Sequence, residues 1–139
     1  MSSIRFIDTN LLLRYITNDH AEHSPRAQEL FLRIAAGEFE GLLSMTVLFE
    51  TVYVLEGLKG LGRQQIAQNL RIVAKTPGIR LLNDDGNHLT QTLELYASFP
   101  RLSLADCYHA VLSQMYCDGE IYTFDRDFDR VPDLIRLEP

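Results

Sequence analysis

Glu50 is the only charged residue in Met45-Thr46-Val47-Leu48-Phe49-Glu50-Thr51-Val52-Tyr53-Val54-Leu55. On a helix, its neighbours three and four positions away are Thr46, Val47, Tyr53 and Val54. An ionised carboxylate on so apolar an element costs on the order of several kcal/mol unless something compensates it. Three other carboxylates stand where one cation could gather all four. Asp8 follows Phe6-Ile7 and precedes Thr9-Asn10; Asp125 follows Tyr122-Thr123-Phe124 and precedes Arg126-Asp127; Asp106 closes Ser103-Leu104-Ala105-Asp106. Carboxylates forced together cannot all ionise without a cation, because their repulsion raises their pKa values. Hard oxygen ligands suit Mg2+ or Mn2+. An ion held this way activates water and offsets charge on a phosphate, so the pattern points to a metal-dependent hydrolase.

Each acid also has a plain structural use. Asp8 or Thr9 could cap the helix that follows, and Asp125 could do the same after its own strand. Ser103 and Asp106 form a capping-box pattern, with Asp in place of the usual Glu or Gln. Glu50 has the weakest structural alternative, namely an exposed edge or a partner arginine. Thr9, Asn10 and Thr123 are small polar groups placed to orient water or phosphate near the acids. His109 lies one turn after Asp106 and could pair with it as a ligand. It is expected as a surface or partly buried histidine and is left outside the site, as are His20, His23 and His88. Cys107 has no general base at a recognisable spacing, and the chain contains no glycine-rich phosphate loop and no Gly-x-Ser-x-Gly.

The elements that must position these residues alternate between strand and helix. Ile4–Ile7 reads as a buried strand and Leu11–Ile16 as a helix directly after it. Ser24-Pro25 reads as an N-cap followed by proline at the first helical position, with Gly37 as the stop. Gly41–Ser44 is a short strand, and Ser44 can cap the Glu50 helix, which ends near Gly60. Arg63–Lys75 is amphipathic and stops at Pro77-Gly78. Ile79–Leu82 is a strand. Asn87–Phe99 is a helix with Leu89, Leu93 and Tyr96 facing inward. Ser103 caps a helix running to Tyr116, and Asp118-Gly119 turns the chain into a strand over Glu120–Phe124. A short acidic helix covers Asp125–Arg130, and Ile135–Leu137 is an edge strand. This alternation predicts an α/β fold with a mainly parallel sheet of four to five strands between helices. Open sheets of this kind bind ligands at the carboxyl ends of their strands, where Asp8 and Asp125 stand.

The chain has 139 residues, 46% of them hydrophobic and 23% charged, which suits one globular domain able to fold without disulfides or structural zinc. The two cysteines, Cys107 and Cys117, lack metal-type spacing and read as reduced core thiols. No apolar run reaches the ~18 residues of a membrane span, and Met1-Ser2-Ser3 leads straight into a strand, so a cytoplasmic protein without a secretory leader is expected. Net charge is −6, unlike a generic nucleic-acid binder. However, cations at the acidic site would leave a much less acidic remainder. The basic residues comprise eleven Arg and two Lys, a bias compatible with phosphate contacts and with ordinary ion pairs alike.

Four segments carry a resemblance. They are Phe6-Ile7-Asp8-Thr9-Asn10-Leu11-Leu12-Leu13-Arg14-Tyr15, Ser44-Met45-Thr46-Val47-Leu48-Phe49-Glu50, Leu104-Ala105-Asp106-Cys107-Tyr108-His109-Ala110 and Thr123-Phe124-Asp125-Arg126-Asp127-Phe128. In this order and spacing they resemble the motifs of the PIN-domain family, and within it the VapC-type toxins. The resemblance implies one PIN domain over residues 1–139, folded as a three-layer α/β/α sandwich. It implies that Asp8, Glu50, Asp106 and Asp125 line one pocket for Mg2+ or Mn2+, with Asp127 auxiliary. It further implies endoribonuclease activity: a water activated at the metal cuts an RNA phosphodiester, leaving a 5′-phosphate and a 3′-hydroxyl. Homodimerisation and inhibition by a cognate antitoxin protein in an apolar groove are implied as well. Leu11–Tyr15 and the Leu48–Leu58 helix are candidate surfaces, unless they simply pack in the core.

Other readings stay open at the level of sequence. A catalytically silent PIN fold would bind RNA or protein without cutting, although four retained acids argue against silence. A structure-specific DNA nuclease would usually carry more acids and insertions. A haloacid-dehalogenase-like phosphatase requires Asp-x-Asp after its first strand, whereas this chain has Asp8-Thr9-Asn10.

Overall fold

The computed structural model describes residues 3–57, 60–82 and 88–139. Strands are β1 (Ile4–Ile7), β2 (Glu40–Ser44), β3 (Ile79–Leu82), β4 (Glu120–Tyr122) and β5 (Ile135–Leu137). Helices are α1 (Thr9–Thr17), α2 (His23–Ala35), α3 (Met45–Gly57), α4 (Arg63–Lys75), α5 (Leu89–Ser98) and α6 (Leu104–Tyr116), and a 3-10 turn covers Arg126–Arg130. The sheet has five strands in the order β3-β2-β1-β4-β5. Every pairing is parallel, with Phe6 opposite Leu42 on one side and Ile121 on the other. The expected parallel α/β sheet is therefore present.

Strand order decides where the helices go. From β1 the chain steps to β2 and then β3 in one direction, and afterwards crosses back to β4 and β5. Right-handed crossovers then place α1 to α4 on one face and α5 and α6 on the other, giving three layers. The reversal lies between β1 and β4, and their carboxyl ends deliver Asp8 and Thr123. This is the switch point at which open α/β sheets form crevices.

Burial follows from this layering. β1 and β2 are covered on both faces, so Phe6, Ile7, Leu42 and Leu43 are all buried. In α2 the buried Ala27, Leu30, Phe31 and Ile34 recur at helical spacing and form its inward stripe. Each fully buried leucine or phenylalanine is worth about 1.5–3 kcal/mol. The turn from α6 into β4 uses positive φ at Asp118 and Gly119, and a Cβ at Gly119 would run into the Asp133 carbonyl. Glycine is required there.

Several expectations need correction. Ser24 does not cap α2, which begins at His23; its hydroxyl instead accepts the His20 N–H at 3.2 Å, tying down the preceding turn. β4 stops at Tyr122, two residues short of the expected Phe124, although the Thr123 N–H still donates to the Leu137 carbonyl at 3.1 Å. In α5, Leu89, Leu93 and Tyr96 are 56%, 47% and 51% exposed, while Thr92 is buried and Leu95 half-buried. Two stripes at helical spacing competed there, and hydropathy favours the wrong one. Thr92 can be buried because its hydroxyl donates to the His88 carbonyl at 2.8 Å. Asn87, the expected start of this helix, lies outside the described residues. So does Leu58, close to the expected end of α3 near Gly60. Leu11 and Leu12 are wholly buried, so their apolar character belongs to the core and not to a docking surface.

Candidate metal centre

Asp8 ends β1 and precedes α1, but its side chain caps nothing. Its backbone N–H donates to the Tyr122 carbonyl at 3.1 Å, which pins it to the end of β4. Only 3% of it is exposed. Oδ2 accepts the Thr123 hydroxyl at 2.7 Å, whereas Oδ1 is buried without a hydrogen bond. Thr123 is a hub: its Oγ1 also accepts the Asn10 amide at 3.2 Å and the Asp125 N–H at 3.0 Å. Three of the polar residues named from sequence thus meet at the switch point. The Asn10 carbonyl oxygen adds a long bond, 3.5 Å, from the Phe124 N–H.

Asp106 fulfils its structural use and remains available for chemistry. Its N–H donates to the Ser103 hydroxyl and its Oδ2 accepts the Ser103 N–H, both at 3.1 Å, completing the capping box. Burial pushes its carboxyl above the ordinary value, and the Asp8 charge adds to this; the Ser103 donors and His109 oppose the rise. A carboxyl strained by desolvation and by a like charge is what a cation would relieve.

His109 is the residue that sequence reasoning misplaced. It is fully buried, neither at the surface nor partly covered. One turn along α6 from Asp106, it brings Nδ1 to 3.4 Å from Asp8 Oδ1 and Nε2 to 2.9 Å from the Thr46 hydroxyl. Ligand atoms of Asp8, Asp106 and His109 all lie within 4.8 Å of one another. Ligands about 2.0–2.1 Å from an octahedral Mg2+ are at most about 4.2 Å apart, so small adjustments would close this set on an ion. The bare, buried Asp8 Oδ1 and the oxygen-rich donor set fit a hard divalent cation. The three-residue spacing between Asp106 and His109 was the available signal, but nothing in the sequence reports burial.

Glu50 is not the buried charge its apolar context suggests. Its side chain is 37% exposed, and Phe49 and Tyr53 beside it are 66% and 78% exposed. The apolar face of α3 is an open surface, so the desolvation cost expected for Glu50 is largely absent. Its Oε1 accepts the Thr9 hydroxyl at 2.7 Å and lies 3.8 Å from His109 Nε2. Among the described residues no arginine or lysine pairs with it. Glu50 therefore borders the Asp8–Asp106–His109 group without belonging to it.

Asp125 caps the 3-10 turn, its Oδ1 accepting the Asp127 N–H at 2.9 Å, and joins Asp8 only through Thr123. Asp127 is drawn to arginines, 3.8 Å from Arg101 and 3.9 Å from Arg130. Neither belongs to the tight group. Elsewhere, an open groove of about 520 Å³ runs between α1, α2 and α4, lined by Tyr15, Phe31, Leu32, Ile72 and Val73 among others, and none of the acids borders it. Among the described residues no helix is long and apolar enough to cross a membrane.

No curated protein matches the sequence. Solved structures do match in fold. The chain is similar to Mycobacterium tuberculosis VapC20, a sarcin-ricin loop cleaving toxin, with TM-score 0.73 and 20% identity over 99% of this chain and 100% of the other. It is similar to a chain of Rickettsia felis VapBC2, solved bound to a DNA fragment from its promoter, with TM-score 0.70 and 17% identity over 97% and 98% of the two chains. A chain of a toxin–antitoxin complex from Klebsiella pneumoniae gives TM-score 0.63 and 19% identity over 94% and 95%. Residues 5–134, which contain β2 to β4, all of β1 but its first residue and every acid discussed, match the family model of the PIN domain, and the chain belongs to the PIN domain family.

Proposed function

We propose that residues 1–139 form a single PIN domain acting as a Mg2+- or Mn2+-dependent endoribonuclease, the toxin of a type II toxin–antitoxin pair in the cytoplasm. One observation carries the reading. Two carboxylates and a histidine converge within 4.8 Å at the sheet's switch point, with a buried Asp8 oxygen left bare. In this proposal Asp8 and Asp106 hold the ion, and Glu50 and Asp125 border it, with Asp127 auxiliary. A divalent ion bound there would activate water and offset charge on the scissile phosphate. The chain's own groups do the positioning. Thr123 fixes the Asp8 carboxylate, Thr9 holds Glu50, and Asn10 holds the Thr123–Phe124 backbone against α1. The products would be a 5′-phosphate and a 3′-hydroxyl.

Partners follow from the apolar surfaces. The α1–α2–α4 groove suits an apolar segment of an antitoxin. The exposed Phe49 and Tyr53 of α3 and the outward Leu89, Leu93 and Tyr96 of α5 suit protein contacts, including a homodimer. The similar toxin and toxin–antitoxin structures support this assignment by likeness of fold.

The test is a cleavage assay on a mixed pool of structured RNA with Mg2+ or Mn2+, run beside EDTA and the Asp8→Asn variant. Metal-dependent cutting that is lost in a folded Asp8→Asn protein is expected. Cutting at the wild-type rate by that variant would overturn the site. Preference for structured DNA over RNA would move the substrate assignment. Absence of both cutting and metal binding would favour a silent binding module.

A further inference from the structure

His20 and His23, which the metal centre does not use, join the start of α2 to the loop after β4. The His20 ring accepts two backbone N–H groups on Nδ1, from His23 at 2.9 Å and from Glu22 at 3.3 Å. Its carbonyl accepts the Ser24 N–H at 3.1 Å, and its own N–H donates to the Ser24 hydroxyl at 3.2 Å. Pro25 has no N–H to place. Every backbone donor from Glu22 to Pro25 thus goes to His20, which supplies the cap that α2 otherwise lacks. The His23 ring lies flat between two others. It is 4.1 Å from His20 with the planes 12° apart, and 3.9 Å from Phe124 with the planes 2° apart. All three rings are half-buried.

Phe124 stands between Thr123, whose hydroxyl accepts the Asp125 N–H at 3.0 Å, and Asp125, whose carboxylate accepts the Asp127 N–H at 2.9 Å. Thr123 has ties that do not titrate near neutral pH: its N–H on the Leu137 carbonyl and its carbonyl on Arg136 at 3.3 Å. The Phe124 ring instead rests on α2, against His23 and with the Arg26 guanidinium 5.4 Å from its centre. Because His20 Nδ1 accepts, the neutral ring carries its proton on Nε2. A further proton enters only at Nδ1. There it turns the acceptor of two N–H groups into a donor facing them, and it puts a positive charge at the positive end of a helix. Burial, and then the His20 ring, push the His23 imidazole below its ordinary 6.5; Arg14 of α1 and Arg26 of α2 add to this, and Glu22 opposes it. The acids around the pair face these arginines: Asp19 is 3.6 Å from Arg14, and Glu22 and Glu138 are 3.6 and 4.0 Å from Arg26.

We infer that His20 and His23 form an acid-sensitive latch: neutral, they cap α2 and hold Phe124 against it, and protonated, they release both the helix start and the Phe124–Asp125 loop. A proton taken up on α2 is thereby felt at the loop that follows β4. The latch needs neither a metal nor RNA, so it stands apart from the nuclease reading. Its sign follows from linkage. A histidine lowered in the folded state gives stability that is complete above the unfolded value of 6.5 and is lost as pH falls from there towards the folded value.

The test uses the full chain in EDTA. At pH 7.5, 15N NMR of the histidine rings should show His20 as the neutral Nε2–H form; a proton on Nδ1 would overturn the latch. Amide exchange at Glu22 and His23, corrected for the intrinsic rate, should speed up by as much as about tenfold per pH unit below 6.5, the limit for one proton. Asp125 and Asp127 should speed up with them. If Glu22 and His23 open on acidification while Asp125 and Asp127 keep their protection, the link to the loop is refuted. His20→Asn keeps an oxygen for the N–H groups at the start of α2, and His23→Phe keeps a ring against Phe124, yet neither new side chain titrates. Between pH 8 and pH 5.5 the Tm of the double variant should gain about 3–5 °C on wild type. His88, His109 and Asp106 are present in both proteins and cancel in this difference. Parallel melting curves across that range would refute the latch. Should the double variant fail to fold, His23→Phe alone must gain on wild type with the same sign, and the wild-type exchange profile decides independently.

Discussion

Replacing Asp106 by asparagine should make the metal-free protein more stable. Ligand atoms of Asp106 and Asp8 lie within 4.8 Å. Two unit charges at that distance repel by about 3.5 kcal/mol at an effective dielectric of 20. Asp106 is partly exposed, so solvent and salt screen part of this. Loss of a charge at the N-terminus of α6 takes back about 0.5 kcal/mol of helix-dipole stabilisation. The capping box itself survives, since asparagine keeps one oxygen for the Ser103 N–H. The net gain is about 1–2 kcal/mol, or roughly 3–6 °C in Tm for a domain of this size. The sign also follows from linkage. Burial and Asp8 raise the Asp106 carboxyl above its ordinary 3.8. A carboxyl raised in the folded state contributes its stability below the unfolded value and loses it as pH rises through the folded value. The gap between variant and wild type should therefore be small near pH 3.8 and open as pH rises above it. Thermal melts in EDTA at neutral pH measure the gap, and melts in Mn2+ should reverse it. An ion at one hundred times its Kd stabilises wild type by about 2.7 kcal/mol, while the variant, short of a ligand, gains little. If Asp106→Asn is destabilising in EDTA at pH 7 by about 1 kcal/mol or more, Asp106 is a helix cap and the strained-cluster argument fails.

Other substitutions and reagents probe the neighbours. Glu50→Gln keeps an oxygen for the Thr9 hydroxyl at a 37% exposed side chain. Its Tm should stay within about 2 °C of wild type, while the Mn2+ dissociation constant from calorimetry rises about tenfold. A melting loss several times larger would make Glu50 a structural residue. The thiols should be inert in the native protein. Cys107 is raised by burial and then by Asp106, and Cys117 is pushed up to about 12 by burial and then by Asp118 and Glu120. At pH 8 a disulfide reagent should release no fast thiol signal from native protein and two equivalents in urea; one fast native thiol would contradict the packing of α6. Asp8→Asn should retain the wild-type circular dichroism spectrum while losing cleavage, because Thr123 can still donate to the remaining carbonyl oxygen.

Much of the fold was legible because parallel strands buried on both faces leave continuous apolar runs. Phe6-Ile7 and Leu42-Leu43 announce β1 and β2 without help from tertiary context. The capping box at Ser103 was legible for a similar reason, since its donors and acceptors lie within four residues. α5 was misread because facing depends on the partner surface, which hydropathy does not describe. A helix with Leu89, Leu93 and Tyr96 on one stripe turned Thr92 inward, once the His88 carbonyl satisfied the threonine hydroxyl.

Glu50 and His109 show the same limit from opposite directions at the site. The apolar segment around Glu50 implied a buried charge, and the structure puts that segment's Phe49 and Tyr53 in solvent. His109 stands among ordinary helix residues, and the structure buries it completely beside Asp8. Residue type and spacing found the acids because their motifs are local to strand ends and helix starts. The groups that hold Asp8 and His109 are Thr123, 115 residues from Asp8, and Thr46, 63 residues from His109. No local pattern marks such pairs. They come together only because β1 lies between β2 and β4 in the sheet, which brings the ends of three strands to one crevice. The metal-centre reading therefore owes its ligands to short motifs and its geometry to strand order.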